Sequence, residues 1–120
     1  MNIKSFEDLE VWKVGYQATL DIYRITKDFP EEEKFALVTQ IRRSSSSICA
    51  NIAEGYRKTT KEFIRYAMIA QGSVQETKHH LLLSRDLGYS SREKINKLLV
   101  LMDRIGKMLS ALVKGLRKKT

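Results

Sequence analysis

The sequence has little of what several large classes of protein depend on. It contains a single cysteine, Cys49, so no disulfide can form within one chain, and a single proline, Pro30. No apolar run approaches the roughly 18 residues that span a bilayer. The segment from Met1 to Asp8 lacks the basic and then apolar pattern of a secretory signal. We therefore expect a cytoplasmic protein without membrane association, and a chain of 120 residues is long enough for one domain.

Motifs for catalysis and metal binding are also missing. We find no glycine-rich phosphate loop, cysteine pair, nucleophile elbow or spaced pair of carboxylates. The nearest pattern is Glu76-Thr77-Lys78-His79, which has the Glu-x-x-His spacing of di-metal helix bundles. Such bundles need two of these motifs and two further glutamates. The only histidines, His79 and His80, are sequence neighbours and point about 100° apart on a helix. We predict no enzyme activity, no metal site and no cofactor.

Negative charge is scarce outside the first quarter of the chain. The formal net charge is +8, and residues 1–33 hold eight acids and four bases, so the remainder carries +12. A basic excess of this size is compatible with nucleic-acid binding, because each phosphate contact releases counterions. It is equally compatible with solubility or with contact to an acidic patch on another subunit.

Apolar residues recur at helical spacing in four segments, separated by capping residues, Pro30 or Gly88. Short connections between four helices predict an all-α, up-down-up-down antiparallel four-helix bundle. Ser5 is placed to cap the first helix, and the acidic triplet Glu31–Glu33 is placed to open the second. The predicted helices cover residues 6–28, 31–56, 60–87 and 91–117.

The spacing of apolar and small residues also predicts which side chains form the core. The predicted seam of each helix is, in chain order, Leu9, Trp12, Tyr16, Leu20 and Tyr23; Val38, Ile41, Ser45, Ile48 and Ile52; Phe63, Ala67, Ala70, Val74, Thr77, Leu81 and Ser84; and Ile95, Leu98, Met102, Ile105, Leu109, Leu112 and Leu116. Three aromatic rings thus fall in the seam of the first helix. We predict that they are buried, whereas the alternative, a platform on which bases stack, requires exposed rings.

A polar stripe runs along the second helix beside its seam. Its members recur at helical spacing: Gln40, Ser44, Ser47, Asn51 and Glu54. The stripe is interpreted either as an internal hydrogen-bond network or as a binding or assembly surface, and we predict a structural role. The run of serines suggests that a neighbouring helix comes close. We expect the small residues Ala67, Ala70, Gly72 and Ser73 of the third helix to face it. Cys49 is expected to be a buried structural residue.

Several motifs of the chain resemble those of the four-helix-bundle family of 23S ribosomal RNA intervening-sequence proteins. They are Gln40-Ile41-Arg42-Arg43, Ser47-Ile48, Asn51-Ile52-Ala53-Glu54-Gly55, Phe29-Pro30, Ile69-Ala70-Gln71-Gly72-Ser73 and Leu87-Gly88-Tyr89. The resemblance implies a homo-oligomer, with five subunits as the expected number. A similar fold serves as the accessory protein of diversity-generating retroelements, a basic pentamer that binds nucleic acid and a reverse transcriptase. RNA or DNA and a protein partner such as a reverse transcriptase are therefore expected partners.

Two functions of different classes follow. The first is non-specific nucleic-acid binding by basic residues that lie in sequence around the turn between the second and third helices: Arg42, Arg43, Arg57, Lys58, Lys61 and Arg65. The second is a structural or protein-interaction module with no nucleic-acid role. The resemblance favours the first. Homo-oligomerisation is also expected because Val11, Ile22, Ile64, Met68 and Ile69 lie outside the predicted seams.

Overall fold

The computed structural model describes residues 2–120 and contains four α-helices that alternate in direction. These helices are α1 (Glu10–Thr26), α2 (Leu37–Tyr56), α3 (Thr60–Asp86) and α4 (Arg92–Arg117). In chain order α2 packs against α1 and α3, and α4 packs against α3 and α1. No strand occurs in residues 2–120. The prediction of an up-down-up-down four-helix bundle is confirmed.

The first helix begins later than predicted. Ser5 caps a short 3-10 turn, Phe6–Asp8, and α1 starts only at Glu10 after an extended Leu9. The Asp8 carboxylate accepts hydrogen bonds from the backbone N–H groups of Lys4, at 2.8 Å, and Ser5, at 3.2 Å. These bonds favour the charged carboxylate and hold the pKa of Asp8 below its usual value.

The second helix also begins later, at Leu37 rather than Glu31. Glu31–Glu33 form a separate 3-10 turn, and Ala36 has φ −122° and ψ −99°, a backbone conformation through which an α-helix cannot continue. The Tyr89 hydroxyl donates a hydrogen bond to Glu33 at 2.7 Å. The acidic turn is thereby held against the connection between α3 and α4.

The third helix ends in a glycine cap. Gly88 has φ +75°, a left-handed conformation that costs glycine little. The Tyr89 N–H bonds to the Ser84 carbonyl and the Gly88 N–H to the Arg85 carbonyl, each at 3.0 Å. This pair of bonds is a Schellman motif, and it turns the chain sharply into α4.

The predicted seams of α2 and α3 are buried in full. The seam of α4 is buried up to Leu109, but beyond it Val113 is buried and Leu112 only half-buried. The seams meet in one apolar core that runs along the bundle.

The predicted seam of α1 is wrong for its two tyrosines, although Leu9 and Trp12 pack partly against the core. The residues of α1 that are buried are Val11, Gly15, Ala18, Ile22 and Thr26. Tyr16 and Tyr23 are instead 45% and 41% exposed. The physical reason is close approach, because a Cβ atom at Gly15 would lie 2.9 Å from Cys49 Sγ on α2. The face with Gly15 and Ala18 permits that distance, and the aromatic face does not.

The burial of this face of α1 also removes two of the residues on which the expected oligomerisation was based. Val11 and Ile22 were expected to be left over outside the core, but both are buried in it. Met68 and Ile69, on the outer face of α3, are exposed as expected, and Ile64 is half-buried.

Candidate nucleic-acid interface

Four helix ends meet at one end of the bundle because the helices alternate in direction. They are the N-terminus of α1, the C-terminus of α2, the N-terminus of α3 and the C-terminus of α4. The Arg117 guanidinium of α4 lies 3.9 Å from the Met68 sulfur in the first half of α3. The short turn Arg57–Thr59 joins α2 to α3 at the same end.

Most of the basic side chains at this end are exposed. We call this group the basic end, and its members are Arg57, Lys58, Lys61, Arg65, Lys114, Arg117, Lys118 and Lys119. Glu7, Asp8 and Glu10 lie at this end too, at the start of α1. Among the cations of the basic end, Lys58 lies 3.7 Å from Glu54 and Arg65 lies 3.1 Å from Glu62. Exposed pairs such as these are weak. A net positive surface of α2, α3 and α4 therefore remains.

Tyr66 organises two of these cations. Its ring lies under the Lys58 ammonium at 5.8 Å and under the Arg65 guanidinium at 4.7 Å. The hydrogen bond from Arg65 to Glu62 raises the pKa of the guanidinium, which stays charged. Lys61 and Arg57 form no ion pair with residues 2–120 and extend into solvent.

Arg42 and Arg43 lie elsewhere, although they are close to the others in sequence. Both are in the first half of α2, about 22 Å along the helix axis from Arg57. The Arg42 side chain is half-buried and donates hydrogen bonds to Thr26 Oγ1, at 2.9 Å, and to the Tyr23 carbonyl, at 3.3 Å. Its guanidinium stacks 4.6 Å from the centre of the Tyr23 ring. Arg42 thus clamps α2 to α1, while Arg43 is exposed.

The polar stripe divides between an internal network and the surface. Ser44 Oγ lies 2.8 Å from Thr77 Oγ1, and Ser47 Oγ lies 2.9 Å from Ser73 Oγ, so these two serines join α2 to α3. Asn51 donates to both the carbonyl and the hydroxyl of Ser47, at 2.8 and 3.0 Å. The two ends of the stripe, Gln40 and Glu54, are exposed.

Close approach of α2 to α3 depends on small residues. A Cβ atom at Gly55 would lie 2.7 Å from Tyr66 Cβ and 2.8 Å from Phe63 Cδ1, so no larger residue fits without movement of a helix. Ala67 and Ala70 are buried and Ser73 is half-buried, as the prediction requires. Gly72 differs from it, because it is exposed and has open space around it.

Cys49 is buried between α1 and α2. Its thiol donates to the Trp12 carbonyl oxygen at 3.4 Å. Burial raises the pKa of Cys49 to about 12, since desolvation disfavours the thiolate. The residue therefore remains a neutral thiol at physiological pH and fills space in the core.

The Glu-x-x-His pattern does not assemble into a metal site. Glu76 Oε2 lies 3.2 Å from Nε2 of His80, one turn away, rather than from His79. Across residues 2–120 no three His, Cys, Asp or Glu side chains lie close enough together to hold a metal ion. Nor does any helix in this part of the chain carry an apolar stretch long enough to cross a membrane.

A groove of about 310 Å³ lies between α1 and α4. Its floor is apolar, with Ile25, Leu98 and Leu101, and its rim mixes Asp21 and Asp28 with Lys94 and Lys97. Opposite charges at this spacing largely cancel the local potential. The groove therefore has no marked preference for an anionic ligand.

The basic residues at the end of α4 were not among the candidate residues predicted from the sequence. Lys114, Arg117, Lys118 and Lys119 are remote in sequence from the turn between α2 and α3. The length of α4 could have predicted their position, because an antiparallel helix of 26 residues returns its C-terminus to that turn.

Comparisons with known proteins agree with the fold. The sequence profile of a family described as "23S rRNA-intervening sequence protein" matches residues 7–111. A search of curated proteins finds no significant match. Among solved structures, the chain is similar to a protein with unknown function from the S23 ribosomal protein family of Bacteroides thetaiotaomicron. The TM-score is 0.78 at 28% sequence identity, over 87% of this chain and 98% of the other.

Proposed function

The chain belongs to the 23S rRNA-intervening sequence protein family, and on this premise we propose that it is a non-catalytic, homo-oligomeric protein that binds RNA or DNA through the basic end. It acts in the cytoplasm. Binding is electrostatic and independent of sequence, because the basic end combines long flexible cations with few of the Asn or Gln side chains that read base edges.

The observation that carries this proposal is the convergence of eight exposed basic side chains from three helix ends. A single helix face would offer fewer cations within reach of one backbone. Two of the eight have acidic partners, and both pairs are exposed, so phosphates can compete for these cations. Each phosphate neutralised releases counterions, which supplies the free energy of non-specific binding.

Self-association is proposed through the outer face of α3. Five large apolar side chains on this helix and its C-terminal cap are between 39 and 51% exposed: Met68, Ile69, Leu82, Leu83 and Leu87. An apolar face of this kind on a bundle helix typically contacts another protein surface. Association of copies would also multiply the charge that one nucleic acid encounters. Light scattering at micromolar concentration should return a multiple of the 13.9 kDa chain mass, and a monomer mass would contradict this part of the proposal.

The alternative is a protein-interaction module without a nucleic-acid role. Phe35 favours it, because this ring is 86% exposed in the connection between α1 and α2. Aromatic side chains are common anchors of protein interfaces. The adjacent Glu31 and Glu32 would then select a basic partner surface.

The experiment that separates these functions is fluorescence polarisation with a labelled duplex and a labelled structured RNA at low salt. One variant, in which the basic end is partly neutralised, removes three of its eight positive charges with Lys61→Gln, Lys114→Gln and Lys118→Gln. A control removes the same charge elsewhere, with Lys94→Gln, Arg104→Gln and Lys107→Gln. The first variant should make the log–log salt dependence of duplex binding shallower by roughly 0.9 for each phosphate that is no longer neutralised, and the control should change it less. Absence of binding by the unmodified protein would favour the interaction module.

A further inference from the structure

Three aromatic side chains lie on one face of α1 beside its buried stripe, and we call them the aromatic row: Trp12, which packs partly against the core, and the exposed Tyr16 and Tyr23. Their spacing of four and seven residues places them on one helix face. The rings of Trp12 and Tyr16 stack with centres 4.7 Å apart and planes inclined by 18°. Phe6 packs edge-on against Trp12 at 5.3 Å, which fixes the indole. Tyr16 is nearly half exposed, so the stack is accessible to solvent.

Beside Trp12 and Tyr16 the side chains of α2 are short, whereas Arg42 lies beside Tyr23. Cys49 contacts the Trp12 carbonyl, and the Thr19 hydroxyl donates to the Ser45 carbonyl at 3.2 Å, which fixes the register of the two helices. Ser46 and Ala53 share the face of α2 that contains Cys49, since they lie three and four residues away from it. The aromatic rings therefore form a shelf outside the closed contact of Gly15 with Cys49.

Basic residues lie along both sides of this shelf, with Glu7 and Asp8 next to Phe6 at one end and Glu31 near Lys27 at the other. Lys13 and Lys27 follow the outer side of the aromatic row on α1, and Arg42, Arg43 and Arg57 follow it on α2. Arg42 stacks on Tyr23 and fixes that ring.

The acids of α1 are on its other side. Asp21 and Asp28 line the groove with α4, and Glu10 shares their face at a spacing of eleven residues from Asp21. Glu54 of α2 is directed to Lys58.

From this juxtaposition we propose that the shelf between α1 and α2 binds single-stranded nucleic acid, with bases stacked on Tyr16 and Tyr23 and phosphates beside Arg43 and Lys27. Stacking on exposed rings suits every base, so the interaction is tolerant of sequence. A duplex buries the faces of its bases against each other and cannot use the rings. The shelf therefore adds a preference for single strands to the charge-driven binding of the basic end.

The inference rests on the proposed nucleic-acid binding, and it is tested with variants that leave the basic end intact. The probe is an oligothymidylate of about 15 nucleotides, long enough for one site, beside a duplex of the same length. Tyr16→Ala should weaken oligothymidylate binding by roughly 5-fold or more, as expected for the loss of one stacked base. Tyr16→Phe should retain the affinity, and neither variant should change duplex binding.

A second measurement needs no variant. Trp12 is the only tryptophan, so its emission reports on the shelf alone. Oligothymidylate should quench this emission, and duplex should quench it less. Equal quenching by the two probes would overturn the proposed single-strand preference.

The outcomes distinguish this inference from the proposed function. If Tyr16→Ala binds oligothymidylate as tightly as the unmodified protein while neutralisation of the basic end weakens binding, the shelf is not a site and the basic end still is. If neither probe binds, both proposals fail. If Tyr16→Ala changes the oligomer mass in light scattering but not the affinity, the aromatic row is a contact between copies and the inference is overturned.

Discussion

Helix α2 has short side chains on both of its flanks, yet the two flanks differ in what they produce. Toward α3, Ser44, Ser47 and Gly55 meet other small or polar residues, and the seam closes with hydrogen bonds between hydroxyl groups. Toward α1, Cys49 packs against Gly15, and the aromatic side chains of that helix lie outside this contact. The side chains of the neighbouring helix, rather than those of α2, therefore determine whether exposed aromatic rings lie beside the contact.

The difference follows from which residues of the partner helix are small. Small residues on both sides let two helices approach closely, as Gly55 does beneath Phe63 and Tyr66. On α1 the same requirement is met by Gly15 and Ala18, which turn that face inward and leave the aromatic row outside. Because the small residues of α1 face the core, its two tyrosines lie on the surface of the bundle.

The largest expected effect comes from the contrast between the two faces of α1. Ile22 is fully buried, so Ile22→Ala should lower the free energy of unfolding by about 2–5 kcal/mol. Tyr16→Ala removes a larger side chain but should cost only about 1 kcal/mol, mainly the stacking with Trp12. Urea denaturation measures both, and an equal cost for the two variants would mean that the aromatic row is buried.

A smaller effect is expected where α2 and α3 touch. Gly55→Leu must push the helices apart and should destabilise the fold by about 1–3 kcal/mol through overpacking. Gly72→Leu is the matched control, since Gly72 has open space around it. There the better helix propensity of leucine should stabilise the protein by about 0.5–1 kcal/mol. If both variants proved stabilising in thermal melts, the close approach at Gly55 would be refuted.

The hydrogen bonds of this seam predict a further contrast between adjacent serines. Ser47→Ala should cost about 1 kcal/mol, because it removes the hydroxyl partner of Ser73 and leaves Asn51 only the Ser47 carbonyl as acceptor. Ser46→Ala, on the exposed side of α2, should change stability by no more than about 0.5 kcal/mol. Denaturant titration of the two variants checks this difference, which should vanish when Ser73 and Asn51 are replaced by alanine as well.

The smallest effect concerns pH at the other end of the bundle. There Tyr89, in the connection between α3 and α4, is hydrogen-bonded to Glu33 in the connection between α1 and α2. Its hydrogen bond to Glu33 raises the pKa of the phenol above its ordinary value of 10.0. The bond therefore stabilises the fold fully below pH 10, and this contribution is lost as the pH rises through the folded-state pKa. The melting temperature of Tyr89→Phe should be slightly lower than that of the unmodified protein at about pH 8, well below the ordinary phenol pKa. The difference should disappear at high pH, and a difference that persisted there would contradict the assignment.

Periodicity predicted the four helices, the seams of α2 and α3 in full and that of α4 except at Leu112. Helix α1 has two overlapping stripes, one aromatic and one with Gly15 and Ala18. Hydrophobicity alone favours the aromatic stripe. The close approach of Gly15 to Cys49 selects the other, and that contact depends on the partner helix.

The candidate site was partly predictable for a related reason. Lys58, Lys61 and Arg65 flank a short turn, so sequence proximity is spatial proximity. Arg42 is near them in sequence but far along a straight helix. The α4 residues of the basic end were missed because their position depends on the length of α4. The close approach of Gly55 to Tyr66 was not predicted, because it cannot be read from one helix.

The most direct test of the account is the salt dependence of binding to single-stranded and duplex probes of equal length, for the unmodified protein, Tyr16→Ala and the variant with a neutralised basic end. Charge determines the slope of log affinity against log salt, roughly −0.7 per single-strand phosphate and −0.9 per duplex phosphate, whereas stacking shifts the line without changing its slope. We predict that Tyr16→Ala lowers the single-strand line in parallel and leaves the duplex line unchanged, while loss of the basic end makes both lines shallower. Coincident lines for all three proteins, or no binding at the lowest salt, would contradict the account.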